Sequence, residues 1–313
     1  MIPPVRPITI EDIEAARERI AGTVLRTPLV QLDEGIWLKL ENLQPTNAYK
    51  IRGASNAVAK LSEEDRAKGV WTISAGNAGQ GVAYAARQFG VPSTVVAIET
   101  APQTKLDRMR ALGATIVPVS YERAWVAAET HEFDGLEGTF VHPFDNHDFI
   151  AGHGTMGLEI LEDLPDVRTV IAAIGGGGLI TGVGSAIKTR RPDVNVLGAE
   201  PETAAPYAYS LAEGGPRRFP DWQASFVDGA GGKSVTERMW QRMRAVTDGS
   251  ITVTLDQVRD AMRLIAEKSR TIAEGAGALS VAAALTGEAG DGPIVCVISG
   301  GNIDLSKFAE LVG

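Results

Sequence analysis

One cysteine, Cys296, stands in the whole 313-residue sequence, so no intramolecular disulfide can form and the chain fits a reducing, cytoplasmic setting. Cys296 lies inside the apolar run 294–298 and reads as a core residue rather than a nucleophile. Basic residues are also in short supply: 30 Lys and Arg face 39 Asp and Glu, for a net charge of −9. That balance argues against nucleic acid or an anionic membrane as a partner. The densest basic group, Lys188, Arg190 and Arg191, reads as the solvated end of a helix. No apolar run reaches the length of a membrane span, and the opening MIPPVRPITIED lacks a signal-peptide core. The four histidines, His131, His142, His147 and His153, show no metal-ligand spacing, and no internal repeat or low-complexity tract is present. What remains is a chain 44% hydrophobic and 22% charged, large enough for two core-bearing units.

Glycine, by contrast, is plentiful at 35 residues, and it falls in clusters. Clustered glycine marks close approach of backbone to something else. Between the clusters the pattern alternates. Residues 9–21 read as an amphipathic helix with Thr9 as N-cap, ended by Arg26, Thr27 and Pro28, and 36–40 as a short strand. Strands are predicted at 70–74, 93–98, 115–119, 169–174, 194–199 and 294–299. Helices are predicted at 54–61, 80–89, 105–112, 121–130, 149–161, 179–189, 255–268 and 273–285, with a short one at the end. Short apolar strands separated by helices predict an α/β fold with open, mostly parallel twisted sheets covered on both faces. The polar segment 141–148, VHPFDNHD, is the best boundary candidate, and 213–234 is a glycine- and proline-rich loop long enough to suggest a function.

Three turns and one lysine carry the chemistry. IGGGGLITG at 174–182 sets four glycines between a strand and a helix, where bare backbone N–H groups and the positive helix end suit a phosphate. It is neither a Walker A loop, lacking the Gly-Lys-Ser/Thr ending, nor a dinucleotide fingerprint, since Thr181 occupies the third glycine position. SAGNAGQG at 74–81 is a second strand-to-helix turn, which reads as a carboxylate clamp or as an ordinary N-terminal cap. ISGGN at 298–302 follows the run around Cys296 and presents Ser299. All three sit at the carboxyl ends of predicted strands, where ligands bind in open parallel sheets. In PTNAYKIRGA at 45–54, Lys50 stands between Tyr49 and Ile51. It is either a surface stem with its ammonium in water, or an amine held in a pocket where desolvation frees its lone pair for Schiff-base chemistry.

In order and spacing, PTNAYKIRGA, SAGNAGQG, IGGGGLI and VISGGN resemble the pyridoxal-phosphate enzymes of the serine/threonine dehydratase and serine racemase group, of fold type II. RTPL at 26–29, LEN at 40–42, IAGHGT at 150–155 and EGAGAL at 274–279 agree, so the resemblance spans nearly the whole chain. It implies that Lys50 carries pyridoxal 5'-phosphate covalently, while Gly175, Gly176, Gly177, Gly178 and Leu179 hold the phosphate. It implies further that Asn77 bonds the phenolic oxygen, Ser299 faces the pyridine nitrogen, and Tyr49 and the backbone near Gly229 flank the ring. Ser74, Ala75, Gly76, Asn77 and Ala78 would bind the carboxylate of an amino-acid substrate. A hydroxyl at Ser299 cannot force protonation of the ring nitrogen as a carboxylate would, so the ring is a weaker electron sink suited to loss of a leaving group from Cβ. The expected activity is therefore α,β-elimination from a small β-hydroxy amino acid such as threonine or serine, giving a 2-oxo acid and ammonia, with Lys50 taking the α-proton. Its alternatives are β-replacement, serine racemisation, and a non-catalytic cofactor- or nucleotide-binding module.

The resemblance implies a large cofactor domain of 1–52 with 147–313, a small mobile domain of 53–146, and a homodimer. Departures are local. The family's GSFK is Asn47-Ala48-Tyr49-Lys50 here, and SSGNH is Ser74-Ala75-Gly76-Asn77-Ala78. Ala75 lacks the hydroxyl that serves racemases as a proton donor. Glu200 and the Ala204 carbonyl match a divalent-cation site whose second carboxylate is replaced by Pro206, so no metal is expected. Glu274 reads as a cofactor neighbour or a helix-start acid, and His153 as a substrate contact or a structural residue. The end at Gly313 is expected to leave no room for a C-terminal regulatory domain.

Overall fold

Among the described residues, ten strands build two separate sheets: β1 (Leu29–Asp33), β2 (Ile36–Lys39), β3 (Val70–Ile73), β4 (Ser93–Ile98), β5 (Thr115–Val119), β6 (Thr139–Phe140), β7 (Thr169–Ala173), β8 (Asn195–Pro201), β9 (Gly249–Val253) and β10 (Ile294–Val297). The computed structural model describes residues 4–313. They divide into two compact units, one made of the described residues up to Leu25 with Lys50–His153, the other of Arg26–Tyr49 with Gly154–Gly313. This division differs from the expected one chiefly in where the first 25 residues fall.

The first unit holds a four-stranded, all-parallel sheet in the order β5-β4-β3-β6. Alternation along its strands explains why both faces are covered. Val70 and Val95 point to one face, where they meet Val82, Ala83, Ala85 and Ala86 of the helix Asn77–Gln88. Their neighbours Trp71 and Val96 point the other way and pack with Ala124 of the helix Tyr121–Thr130. The helix Ile10–Ile20 opens at Thr9, the expected N-cap, which forms a capping box with Asp12, and it buries Ile13, Ala16 and Ile20. Four bonds, among others, stitch this N-terminal segment to the rest of the unit. Arg19 Nη1 donates to Asn56 Oδ1 at 2.8 Å, Tyr84 Oη to the Thr23 carbonyl at 3.1 Å, and Arg52 Nη2 to the Leu25 carbonyl at 3.1 Å. His147 Nε2 pairs with Asp12 Oδ2 at 2.9 Å.

The second unit holds a six-stranded sheet in the order β1-β2-β10-β7-β8-β9, parallel except for the antiparallel edge pair β1–β2. Its main core packs Ile171, Ala199, Ile251 and Cys296 under the helices Leu255–Ser269 and Gly275–Leu285. Cys296 is fully buried, and burial pushes its thiol up, which makes it a core residue. Buried Lys39 donates to the Thr27 carbonyl at 2.7 Å and pairs with Glu159 at 2.6 Å. The α/β architecture with two mostly parallel, helix-covered sheets is the expected one. The sequence reading lacks both edge strands of this sheet, β1 and β9, and the two-residue β6. It also lacks the helices Glu63–Lys68, Pro206–Ala212 and Glu237–Arg244. These are short or polar segments whose pairing is decided by tertiary contacts rather than by their own pattern.

Candidate active site

Lys50 begins the helix Lys50–Ala59, four residues earlier than the sequence reading starts it. Part of the residue remains accessible, yet its ammonium is ringed by protein. Nζ donates to the Pro143 carbonyl at 2.7 Å and lies 5.5 Å from the centre of the Phe149 ring. Desolvation lowers the amine's pKa to about 7, against an ordinary 10.5. Of the two readings open to this lysine, the structure realises the pocket. Glycines make the packing around it possible. A Cβ on Gly81 would lie 3.1–3.2 Å from Lys50 backbone and Cβ atoms, and one on Gly53 would strike the Phe149 carbonyl and the His153 ring. His153 is fully buried, edge-on to Phe149 with ring centres 4.8 Å apart. Burial, then the nearby Lys50 and Arg52 charges, hold its pKa well below the usual value, so the imidazole is neutral. That environment makes His153 part of the packing behind Lys50.

In the same unit, Ser74, Ala75 and Gly76 form the turn between β3 and the helix Asn77–Gln88, and Asn77 and Ala78 are its first residues. The Gly76 amide donates to Ser74 Oγ at 3.1 Å. Ser74, Ala75, Gly76 and Asn77 are half-buried and Ala78 is buried. Here a helix N-terminus of a 12-residue helix is presented at a strand's carboxyl end, the setting for a carboxylate.

The other expected residues gather in the second unit. Gly175, Gly176 and Gly177 form the turn after β7, and Gly178 and Leu179 open the helix Gly178–Arg190. Gly177 has φ +87°, which favours glycine, and its Cβ would strike Met243 Sδ. A Cβ on Gly175 would lie 2.8 Å from the Gly229 carbonyl, and one on Gly229 would lie 2.9 Å from Ala276 Cβ and 3.6 Å from Glu274 Oε1. Ser299 Oγ donates to the Ala276 carbonyl at 3.4 Å. The Tyr49 amide donates to the Ser299 carbonyl at 3.0 Å, and the Glu274 amide to the Gly300 carbonyl at 3.0 Å. Tyr49, Ser299, Glu274, Gly229 and the glycine turn are thus linked neighbour to neighbour. Burial, helped by the Glu274 charge, raises the Tyr49 hydroxyl's pKa.

Two departures from the family pattern find their physical reason here. Asn47, standing where GSFK has glycine, has φ +54°, a conformation that asparagine tolerates. Ala48 is fully buried and bridges to Gly300, so a small side chain suffices. Glu200 is committed within the protein: Oε1 accepts the Tyr207 amide at 2.8 Å, and Oε2 accepts the Ala208 amide at 2.8 Å and the Ser250 hydroxyl at 2.7 Å. Burial pushes its carboxyl up to about 7 against these three bonds. Among the described residues, no group of three or more His, Cys, Asp or Glu side chains could hold a metal ion. The sequence reading missed Pro143 and Phe149 as partners of Lys50; the proline in the polar segment was visible, but not what its carbonyl would face.

Residues 20–300 match the model of a family described as pyridoxal-phosphate dependent enzyme. The chain is 40% identical to an L-threonine ammonia-lyase of Thermotoga maritima, with 97% of this chain and 78% of that protein covered. It is 35% identical to a catabolic L-threonine dehydratase, TdcB, of Staphylococcus aureus, with 97% of this chain and 92% of that protein covered. Among solved structures, maize serine racemase superposes with a TM-score of 0.89 at 34% identity, covering 97% of each chain. The processed form of threonine deaminase isoform 2 from Solanum lycopersicum superposes with a TM-score of 0.86 at 31% identity, covering 99% of this chain and 96% of that one. The family match spans residues 20–300, and the chain belongs to the family of pyridoxal-phosphate-dependent enzymes.

Proposed function

We propose that this protein is a threonine/serine ammonia-lyase, converting a small β-hydroxy amino acid to a 2-oxo acid and ammonia by α,β-elimination. The observation that carries the reading is the 40% identity to an L-threonine ammonia-lyase over 97% of the chain. The residues present fit pyridoxal 5'-phosphate. Gly175 and Gly177 sit where a Cβ would strike Gly229 and Met243, which keeps the turn's backbone free of side chains, and Lys50 offers an amine that is about half deprotonated at pH 7. When bound, the cofactor supplies the electron sink that acidifies the substrate's Cα–H.

In this reading Lys50 holds the cofactor and, once its amine is free, accepts the α-proton at Nζ. Backbone N–H groups of Gly175, Gly176, Gly177, Gly178 and Leu179 bind the phosphate. Ser74, Ala75, Gly76, Asn77 and Ala78 orient the substrate carboxylate, and Asn77 also bonds the phenolic oxygen. Ser299 would face the ring nitrogen, and Tyr49 and Gly229 would flank the ring. Ala75, with no proton to give, argues against efficient racemisation despite the likeness to a racemase.

The proposal extends to a homodimer, and to the cytoplasm, which a single buried free cysteine fits. Purified protein incubated with a panel of β-hydroxy amino acids, scored for 2-oxo acid and ammonia, tests the activity. Release of both from threonine or serine is expected; their absence from every substrate overturns it. Sedimentation of the same preparation as a monomer would refute the dimer.

A further inference from the structure

We propose that the turn 142–145 is the device that positions Lys50, and that His142 is its positioning residue. This rests on the assignment of Lys50 as the cofactor lysine. One short segment supplies two of the groups that face the amine. The Pro143 carbonyl accepts from Nζ at 2.7 Å, and the Phe149 ring lies 5.5 Å from it. A carbonyl on a loop holds an amine in place only if the loop itself is held, and the residues around Pro143 serve that end.

Upstream, Val141 is tied to β3 by both its backbone groups: its amide donates to the Trp71 carbonyl at 2.8 Å, and its carbonyl accepts from Thr72 Oγ1 at 2.7 Å. Next, His142 Nδ1 collects two backbone amides, from Phe144 at 3.3 Å and from Asp145 at 2.9 Å. Accepting both amides, Nδ1 leaves Nε2 as the ring's donor. Those two bonds wrap the chain around Pro143, whose own φ is fixed by its ring and whose missing N–H needs no partner. Downstream, Asn146 Oδ1 accepts the Phe149 amide at 2.9 Å, capping the helix His147–Asp163 that carries the Phe149 ring. Buried His142 thus spans the carbonyl-bearing turn from its start to its end.

Two substitutions separate the imidazole's acceptor from its bulk. His142→Phe keeps a ring against Phe140 and Phe144, which lie 5.6 and 4.5 Å from His142 by ring centres, but accepts nothing. His142→Asn loses the ring and keeps an acceptor oxygen for the turn. The full-length chain, freed of cofactor, is mixed with pyridoxal 5'-phosphate, and attachment at Lys50 is followed by borohydride trapping and peptide mass analysis, alongside kcat and KM.

His142→Phe should slow attachment and lower kcat by roughly fivefold to tenfold, the loss expected from one hydrogen-bonded contact, with KM nearly unchanged. His142→Asn should attach within about twofold of the unsubstituted rate, because its Oδ1 still accepts the turn's amides. Native attachment in the Phe variant, or equal losses in both variants, overturns the proposal. Should the Phe variant fail to fold, the Asn variant decides alone: near-native attachment supports the role and a large loss refutes it. If the unsubstituted chain takes no label at Lys50, the functional reading falls first and this inference with it.

Discussion

The carbonyl of Asn47 accepts the Gly301 amide at 2.9 Å, lacing the segment that leads into Lys50 to the loop that presents Ser299. Asn47 makes that contact with φ +54°, in the left-handed region. Asn47→Gly should leave stability within about 0.5 kcal/mol, since glycine adopts this conformation freely. Asn47→Val should cost about 1–2 kcal/mol, because a β-branched residue is strained there. Urea unfolding of the two variants measures the difference; equal stabilities would show that the left-handed backbone is not the reason for asparagine.

Lys50 carries a pH signature. Attachment of the cofactor needs a neutral amine, so its rate should climb with pH and level off just above 7, rather than near the ordinary 10.5. The same lowered value acts on the stability of the cofactor-free chain. Below about pH 7 both folded and unfolded chains hold the proton, and the full cost of burying the charge is present. Between about 7 and 10.5 the unfolded chain holds the proton and the folded one does not, so stability rises with pH across that window. Lys50→Met should therefore stabilise the cofactor-free chain most below pH 7 and not at all above 10.5. Thermal melts across pH check the sign, and a gain independent of pH would refute it.

The site was legible where glycine bares the backbone or where a residue departs from the pattern of its neighbours. The glycine turn, the turn before Asn77 and Ser299 stand at strand ends that the pattern predicts, whereas Lys50 opens a helix that the pattern starts four residues later. Pro143 and Phe149 were not legible, because a backbone carbonyl has no sequence signature and a phenylalanine in a helix looks like core. The edge strand β9 shows why short elements escaped. Its sequence GSITV opens with two poor strand formers, and register with β8 is what makes it a strand. The allegiance of the first 25 residues was hidden too, since an amphipathic face shows that a helix will be buried but not against which partner.

Ala75 sits half-buried in the turn after β3, at the position where racemases of this group carry a serine. Ala75→Ser restores a hydroxyl there and should raise racemisation of serine relative to elimination. Chiral chromatography of residual substrate beside 2-oxo acid release gives the ratio, and an unchanged ratio would falsify the role assigned to the missing hydroxyl.

Gly53→Ala tests the packing behind the lysine. Its Cβ would meet the Phe149 carbonyl, which cannot rotate away, so the substitution should cost about 1–3 kcal/mol by overpacking. Lys50 reports the displacement as slower cofactor attachment. A variant as stable as the unsubstituted chain would mean that the helix Lys50–Ala59 can shift freely.

Glu200 has three protein donors on its two oxygens, and Pro206 brings no second carboxylate. A chelator should leave both activity and melting temperature unchanged. Glu200→Ala should instead lower stability by about 2–3 kcal/mol, because two helix-end amides and the Ser250 hydroxyl lose their acceptor. Loss of activity on chelation, restored by calcium or magnesium, would reverse this view.

The four bonds of the N-terminal segment carry a consequence for how the protein is made. Thr23 and Leu25 wait for Tyr84 and Arg52, and Asp12 waits for His147, which the ribosome adds 135 residues later. During synthesis the first helix therefore emerges as an amphipathic segment before the helix Lys50–Ala59, against which it packs, has been made. Ile13, Ala16 and Ile20 are open to chaperones and proteases in that interval, although in the finished protein they are among its most thoroughly hidden residues.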